Sequence, residues 1–398
     1  MATFGVGWSV SRRAREAGHE AAQRATVAMG GGPLGGVIAV ATAGHDQQEV
    51  LRGVTDVTGA APLSGCSTSG IITVEGSNES THAVAVLTIG SSMRVRSLQQ
   101  HGLSNDSRAC GAALARQIGD AVGRNRLLLL FPDAVTGNIT DLLSGLESHL
   151  RQPLTIAGGS AGELMKLGRT WQYCDGVAST DSVCAALLES DLAVEIAVSH
   201  GCVPIGTEQI VTRAENGWIY EIDGQSAWSV YQHYLEGGDL DALTMAESCY
   251  LCLADRLPEP DPEYGEYIIR CPLQLDRGAG ALFFPGNIRT GVKVRLALRS
   301  ESRTRETLIR SAQSIVDRHP GRRPALVMQF DCCCRARLLF GGRTNEALAE
   351  PVRRVFGPDV PWFGLSTYGE IAPLRVGGPT RFHNYGAVLC ALYPTTGS

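Results

Sequence analysis

Short runs made almost wholly of apolar residues recur along this chain, each followed by a stretch whose apolar positions fall every three or four residues. An unbroken apolar run is the pattern of a strand buried on both faces, and the longer spacing is that of a helix with one buried face. Val37–Ala43, Leu127–Phe131 and Ala325–Phe330 are three such strands, and QQEVLRGV, ITDLLSGLESHL and NEALAEPVRRVF are the helical stretches after them. Each helix gives way to a proline, a short apolar run and a Gly-x-Ser turn, in Pro62–Ile72 (PLSGCSTSGII), Pro153–Leu164 (PLTIAGGSAGEL) and Pro361–Ile371 (PWFGLSTYGEI). A variable loop then returns to HAVAVLTI, SVCAALLE or NYGAVLCALY. One β-α-β unit is therefore used three times, in copies too few and too uneven for a solenoid.

Between the units, the pattern predicts a strand at residues 4–9, a helix at Arg12–Met29 and a strand at Arg94–Leu98. A helix at Asn105–Gly123 has Ser104 or Asp106 as its cap. IVTRAENGWIYEIDG reads as a hairpin turning at Glu215–Gly217. Helices are expected at Ser226–Leu235, Leu240–Leu253 and Arg303–Asp317, and strands at Tyr267–Leu273, Ala281–Phe284 and Lys293–Leu298. The proline- and acid-rich LPEPDPEYGEY is expected as a surface loop. The sum is an α+β (mixed α/β) fold of mixed sheets flanked by helices. At 398 residues the chain exceeds one ordinary core. The expected division gives residues 1–210 two units and residues 211–398 the third.

Composition narrows the function classes. With 44% hydrophobic and 19% charged residues the chain is of the soluble globular class. A net charge of −5 supplies no footprint for nucleic acid. No apolar run is long enough to span a bilayer. The first residues lack the apolar core of a signal peptide, so a cytoplasmic location is expected, with the twelve cysteines as free thiols.

Candidate chemistry lies first in the Gly-x-Ser turns, whose free N–H groups at a strand's carboxyl end would form a nest for a small anionic or polar ligand, provided the three turns converge. Gly158–Gly162 also fits a nucleophile elbow around Ser160, with Asp181 and His200 as nominal partners, but no helix follows it as that motif requires. Cys332, Cys333 and Cys334 end a strand beside Arg335 and Arg337, where a thiolate would be activated. Strand alternation is expected to keep the three from one metal. Cys249 and Cys252 have the spacing of half a zinc site or of a redox pair, on a helical pattern where both would be core. His200 and His383 are candidate metal or haem ligands.

These pieces, GCSTSG, GGSAGE, HGCVPIG with IYEIDGQSAWSVY, and FGLSTYGEIAP followed by FHNYGAVLCAL, resemble the paired FIST N and FIST C domains in the same order, from about Gly5 to Tyr393. The resemblance implies an intracellular sensory module for a small ligand such as an amino acid. Some such proteins carry methyl-accepting, kinase or cyclic-dinucleotide output domains. With the resemblance taking up nearly all of these residues, no output domain is expected among them, and signalling is expected to pass through a separate partner such as a histidine kinase or a cyclic-dinucleotide enzyme. A haem-binding, nitric-oxide-sensing subset exists, so haem is a candidate cofactor. FDCCCRAR departs from the family's more usual Ser-Cys-Ala-small pattern. The expected ligand-binding set is Cys66, Ser67, Thr68, Gly159, Ser160, Ala161, Cys332, Cys333, Arg335, Ser366, Thr367, Tyr368, Glu370, His383 and Asn384, with His200 and His383 as candidate haem ligands. Alternatives are the haem sensor and an enzyme using a Cys or Ser nucleophile or a bound metal. A second copy of the chain is a candidate partner; nucleic acid and membrane are not expected.

Overall fold

A computed structural model describes residues 3–120, 125–235, 251–286 and 288–395. Its α+β architecture is three copies of one motif, longer than the β-α-β unit: edge strand, helix, central strand, helix, strand ending in Gly-x-Ser, hairpin, return strand. The first copy runs from Phe4–Ser9 to Val84–Gly90, the second from Arg94–His101 to Ser182–Ser190, and the third from Leu192–His200 to Gly386–Pro394. In the third copy, residues 202–299 are inserted between the edge strand and the helix Glu301–Asp317 and form a sheet of their own.

Each motif builds a six-stranded sheet that its own hairpin does not complete. The first motif's hairpin, Ile71–Thr73 with Gly76–Asn78, pairs with Trp362–Thr367 of the third. The second's, Gln172–Cys174 with Val177–Ser179, pairs with Leu63–Thr68 of the first. The third's, Glu370–Pro373 with Thr380–His383, pairs with Thr155–Gly159 of the second. The exchange closes a three-membered ring and covers an edge that each sheet would otherwise leave open to pairing.

Side-chain alternation then divides the buried strands between two cores. Ile38, Val40, Leu87, Leu129, Phe131, Met328 and Phe330 meet in one central core drawn from all three sheets. Their neighbours face outward under helices: Val37 and Val86 with Ala21 and Val50, Leu128 and Leu130 with Leu114 and Leu142, Val327 and Leu389 with Leu308 and Val352. This two-sided burial is why the central strands read as nearly unbroken apolar runs, with Thr42 and Gln329 as polar exceptions.

Most elements lie where the pattern places them, and the exceptions have physical reasons. The helix expected from Asn105 spans Leu103–Ile118 but breaks at Asp106, whose Oδ1 accepts from the Ala109 N–H at 2.9 Å and caps the longer segment beyond the break. Leu251–Asp261 is a strand, so the predicted helix fails over its last three residues, and residues 240–250, Cys249 among them, lie outside the described residues. LPEPDPEYGEY is no loop but the tip of the hairpin Leu251–Asp261/Gly265–Arg270. Pro258 and Pro260 occupy the stretch between Arg256 and Asp261 where the ladder register shifts and no N–H is needed, and Pro262 stands in the turn itself.

Candidate functional site

The three Gly-x-Ser turns converge. The Ser67 carbonyl accepts from the Gly162 N–H at 2.9 Å, that of Ser160 from Tyr368 at 3.2 Å, and that of Ser366 from Ser69 at 3.2 Å. Each donor stands two residues beyond the serine of the next turn, so the bonds form a closed three-step cycle. The serine N–H groups are also taken, by the carbonyls of Trp171, Gly369 and Gly70, each at 2.8 Å. The expected anion nest is therefore filled by the neighbouring turns. Thr68 Oγ1 donates to the Ser366 carbonyl at 2.7 Å, Ser67 Oγ to the Gly162 carbonyl at 2.8 Å, and Ala161 N–H to the Pro132 carbonyl at 2.9 Å. Gly159 pairs with Glu370 in the ladder, and Cys66 is a core thiol that burial pushes up.

The first glycine of each turn has a steric cause. Gly65, Gly158 and Gly364 lie in parallel register with Ala39, Leu130 and Gln329. A Cβ there would come 1.8, 2.2 and 2.4 Å from the carbonyl oxygens of those partners. Backbone occupies that space, and only glycine leaves it free.

Ser160 is not an elbow. Its Oγ is buried without a hydrogen-bond partner among the described residues, Asp181 accepts from Ser104 with both carboxylate oxygens, and a strand, Gln172–Cys174, comes next. His383 is fully buried, with Nε2 against the Ala372 carbonyl at 3.0 Å and Nδ1 near Tyr264 Oη at 3.5 Å. Burial, with Arg270 and Arg381 nearby, lowers its pKa to about 3. A neutral imidazole between two protein partners has no lone pair to give a haem iron without rearrangement. His200 Nδ1 accepts from the Cys202 N–H at 3.2 Å, and its ring packs edge-on against Tyr264. Two larger clefts, of about 290 and 520 Å³, are lined by neither histidine nor cysteine.

The chemistry gathers instead where the inserted sheet meets the ring. Cys202, Cys252, Cys271, Cys332, Cys333 and Cys334, half of the chain's twelve cysteines, pack into one buried cluster there with Tyr385. Cys252 lies on a strand, not a helix, with its Sγ 3.7 Å from that of Cys202. The expectation that Cys332–Cys334 diverge by strand alternation also fails. The strand ends at Cys332, and a turn closed by the Arg335 N–H on the Cys332 carbonyl at 2.8 Å swings the next two side chains round. All three Sγ atoms lie within 4.8 Å of one another. Bonds from Cys333 and then Cys334, reinforced by the Cys334 and Tyr385 backbone, hold the Cys332 thiol well below the usual range.

These cysteines, with Cys271, Tyr368, Asn384 and Met165, line a cavity of about 30 Å³. Tyr368 Oη donates to Glu163 Oε1 at 2.8 Å and accepts from the Met165 N–H at 2.9 Å, fixing the loop that forms one wall. Asn384 Oδ1 accepts from the Cys271 N–H at 3.3 Å, tying the inserted sheet to the third motif. Beside the cavity, Arg335 and Asp331 are each 1% exposed and pair at 3.2 Å, and Arg335 Nη1 donates to the Ser199 carbonyl at 3.1 Å. Glu370 accepts from Thr367 Oγ1 at 2.6 Å and from the Gly386 N–H at 3.0 Å, and burial pushes its carboxyl well up.

Of the residues singled out in the sequence, Cys332, Cys333, Cys334, Tyr368 and Asn384 line this cavity. Arg335, Thr367 and Glu370 are buried next to it, and the residues of the first two turns, with Ser366, build the ring. Sequence reasoning missed Asp331, Glu163, Met165 and Cys271. A charged pair at i and i+4 astride an apolar strand end could have revealed Asp331; nothing local marks Cys271.

Family models describe residues 36–225 as a FIST N domain and residues 227–373 as a FIST C domain. An uncharacterized protein of Mycobacterium tuberculosis (strain H37Rv) is 26% identical over 390 residues, spanning 96% of this chain and 98% of its own. One from Mycobacterium bovis (strain AF2122/97) is 25% identical over 389 residues, spanning 96% and 97%. Among solved structures, a cyanuric acid hydrolase from A. caulinodans aligns at 10% identity and a TM-score of 0.27, over 48% of this chain and 71% of that one.

Proposed function

Because this chain belongs to the FIST family, whose paired domains are taken as small-ligand sensory modules, we propose that it senses a small ligand bound in the cavity beneath the inserted sheet. The observation that carries this reading is the cavity's lining. Ala134, Val135, Met165 and Leu167 come from the FIST N domain, and Cys271, Leu273, Cys332–Cys334 and Tyr368 from the FIST C domain. A ligand touching both sides biases their arrangement by as much as it binds one arrangement better than another. On this reading a separate signalling protein recognises the change. The ligand is small: sites for drug-sized molecules run to roughly 300–1,000 Å³, so about 30 Å³ suits an ion or a few atoms unless the walls part.

Thermal unfolding against a panel of the twenty amino acids, inorganic anions and thiophilic metal ions tests the proposal. A member that binds the folded chain stabilises it by about 2.7 kcal/mol at a hundredfold excess over Kd. Tyr368→Phe, which frees the Met165 wall, and Asn384→Ala, which frees the Cys271 wall, should each remove most of that gain. A panel without effect, or stabilisation unchanged in both variants, overturns the assignment.

A further inference from the structure

The thiols of Cys332, Cys333 and Cys334 have been gathered by a turn into one buried set, within 4.8 Å of one another and with Cys333 Sγ 3.9 Å from Cys334 Sγ. A metal about 2.3 Å from each of three coplanar sulfurs holds them roughly 4.0 Å apart. The set is thus close to the size of one coordination triangle before any metal arrives. Its surroundings are soft and dry: Met165 and Leu273 share the cavity, and Leu338 and Tyr385 pack into the same cluster. The nearest polar groups are engaged, Tyr368 with Glu163 and Met165, and Asn384 with Cys271.

We propose that Cys332, Cys333 and Cys334 bind one thiophilic metal ion, Cu(I), as a three-coordinate trithiolate. Soft thiolates select Cu(I), zinc or iron–sulfur clusters, and zinc in closed sites takes four ligands. The other thiol on the cavity wall, Cys271, is turned to Tyr385 Oη at 3.2 Å and to the Pro272 carbonyl. Three thiols without a presented fourth thiol among the described residues favour the ion that is content with three, and the Met165 thioether on the same wall is a soft neighbour of the kind Cu(I) accepts. Binding releases to solvent the protons that the three thiols still carry and leaves a complex of three thiolates and one Cu(I), of net charge −2. Arg299, whose Nη1 donates to the Cys334 carbonyl at 2.7 Å, and Arg335, paired in part with Asp331, supply positive charge beside it. The assignment rests on the sensory reading for its cavity and names the ligand.

The test is anaerobic titration of the fully reduced chain with Cu(I) against a competing chromophoric chelator, with X-ray absorption at the copper edge. The expected result is one Cu(I) per chain with three sulfur neighbours. Affinity should fall at least about tenfold in Cys333→Ser and Cys334→Ser, with circular dichroism unchanged, and stay unaltered in Cys202→Ser, which removes the close thiol pair with Cys252. No Cu(I) held by the folded wild type, undiminished binding in a Cys332→Ser/Cys334→Ser double variant, or preferential uptake of Zn(II) with four ligands would each overturn it. If Cu(I) is not held while another panel member stabilises the chain through Tyr368 and Asn384, the metal assignment falls and the sensory reading stands.

Discussion

Replacing Gly158 by alanine should destabilise this protein by about 2–6 kcal/mol, the sum of overpacking and a forbidden backbone angle, each of order 1–3 kcal/mol. The added Cβ would stand 2.2 Å from the Leu130 carbonyl oxygen and 2.8 Å from the Leu130 nitrogen. Both atoms belong to the parallel strand that pairs with it, so neither can swing aside as a side chain does. The residue also sits at φ +146, where alanine is strained. Relief requires the second turn to move, and that turn holds the Tyr368 N–H through the Ser160 carbonyl. The disturbance therefore crosses into the third motif. Gly168→Ala is the control, since that glycine has open space around its Cβ position and an ordinary φ, and it should change stability by less than about 0.5 kcal/mol. Urea unfolding compares the two through the midpoint at constant slope. A Gly158→Ala midpoint within error of Gly168→Ala would show that the turns are not sterically fixed.

The second large effect belongs to the buried pair. Asp331→Ala leaves the Arg335 guanidinium, 1% exposed, with the Ser199 carbonyl as its one remaining hydrogen-bond acceptor among the described residues. Removing one partner of a buried pair costs about 3–5 kcal/mol, because an uncompensated charge stays in a medium that cannot solvate it. Burial outweighs Arg335 at Asp331, whose carboxyl is pushed above its ordinary range, so the pair adds little net stability even when intact. Asp331→Leu/Arg335→Met, which removes both charges and keeps the volume, should accordingly recover most of the loss. Denaturant midpoints of the single and double variants decide this. Additive losses in the double variant would contradict it.

Much of the architecture was legible because the physics that sets it is local. Two-sided burial writes unbroken apolar runs, and the three repeats announced themselves through glycines that are each forced by a facing carbonyl. What the sequence hid is what depends on exchange between repeats. Nothing in PLSGCSTSGII says that its hairpin pairs with Trp362–Thr367, some 290 residues away. The turn that gathers Cys332–Cys334 was illegible for a related reason. FDCCC reads as continuing strand, and only the Cys333 N–H on the Thr367 carbonyl and the Arg335 N–H on that of Cys332 end it. The same closure gave the Gly-x-Ser serines a structural part, since their N–H groups face the carbonyls of Trp171, Gly369 and Gly70 in the other motifs rather than a ligand. Leu251–Leu253 was misread because a strand with Cys252 and Ala254 on one side and Leu251 and Leu253 on the other is apolar on both faces, and so mimics a buried helix over so short a span.

Hydrogen exchange along the whole chain, with and without the panel member that stabilises it most, tests the central claim directly. If a ligand in the cavity joins the two FIST domains, exchange should slow together at residues 163–168, 271–273 and 332–335, while the ring turns around Ser67, Ser160 and Ser366 keep the slow rates they already have. Slowing confined to one domain, or centred on the open clefts near Arg375 or Arg151, would show that the ligand acts elsewhere and that the cavity is only packing.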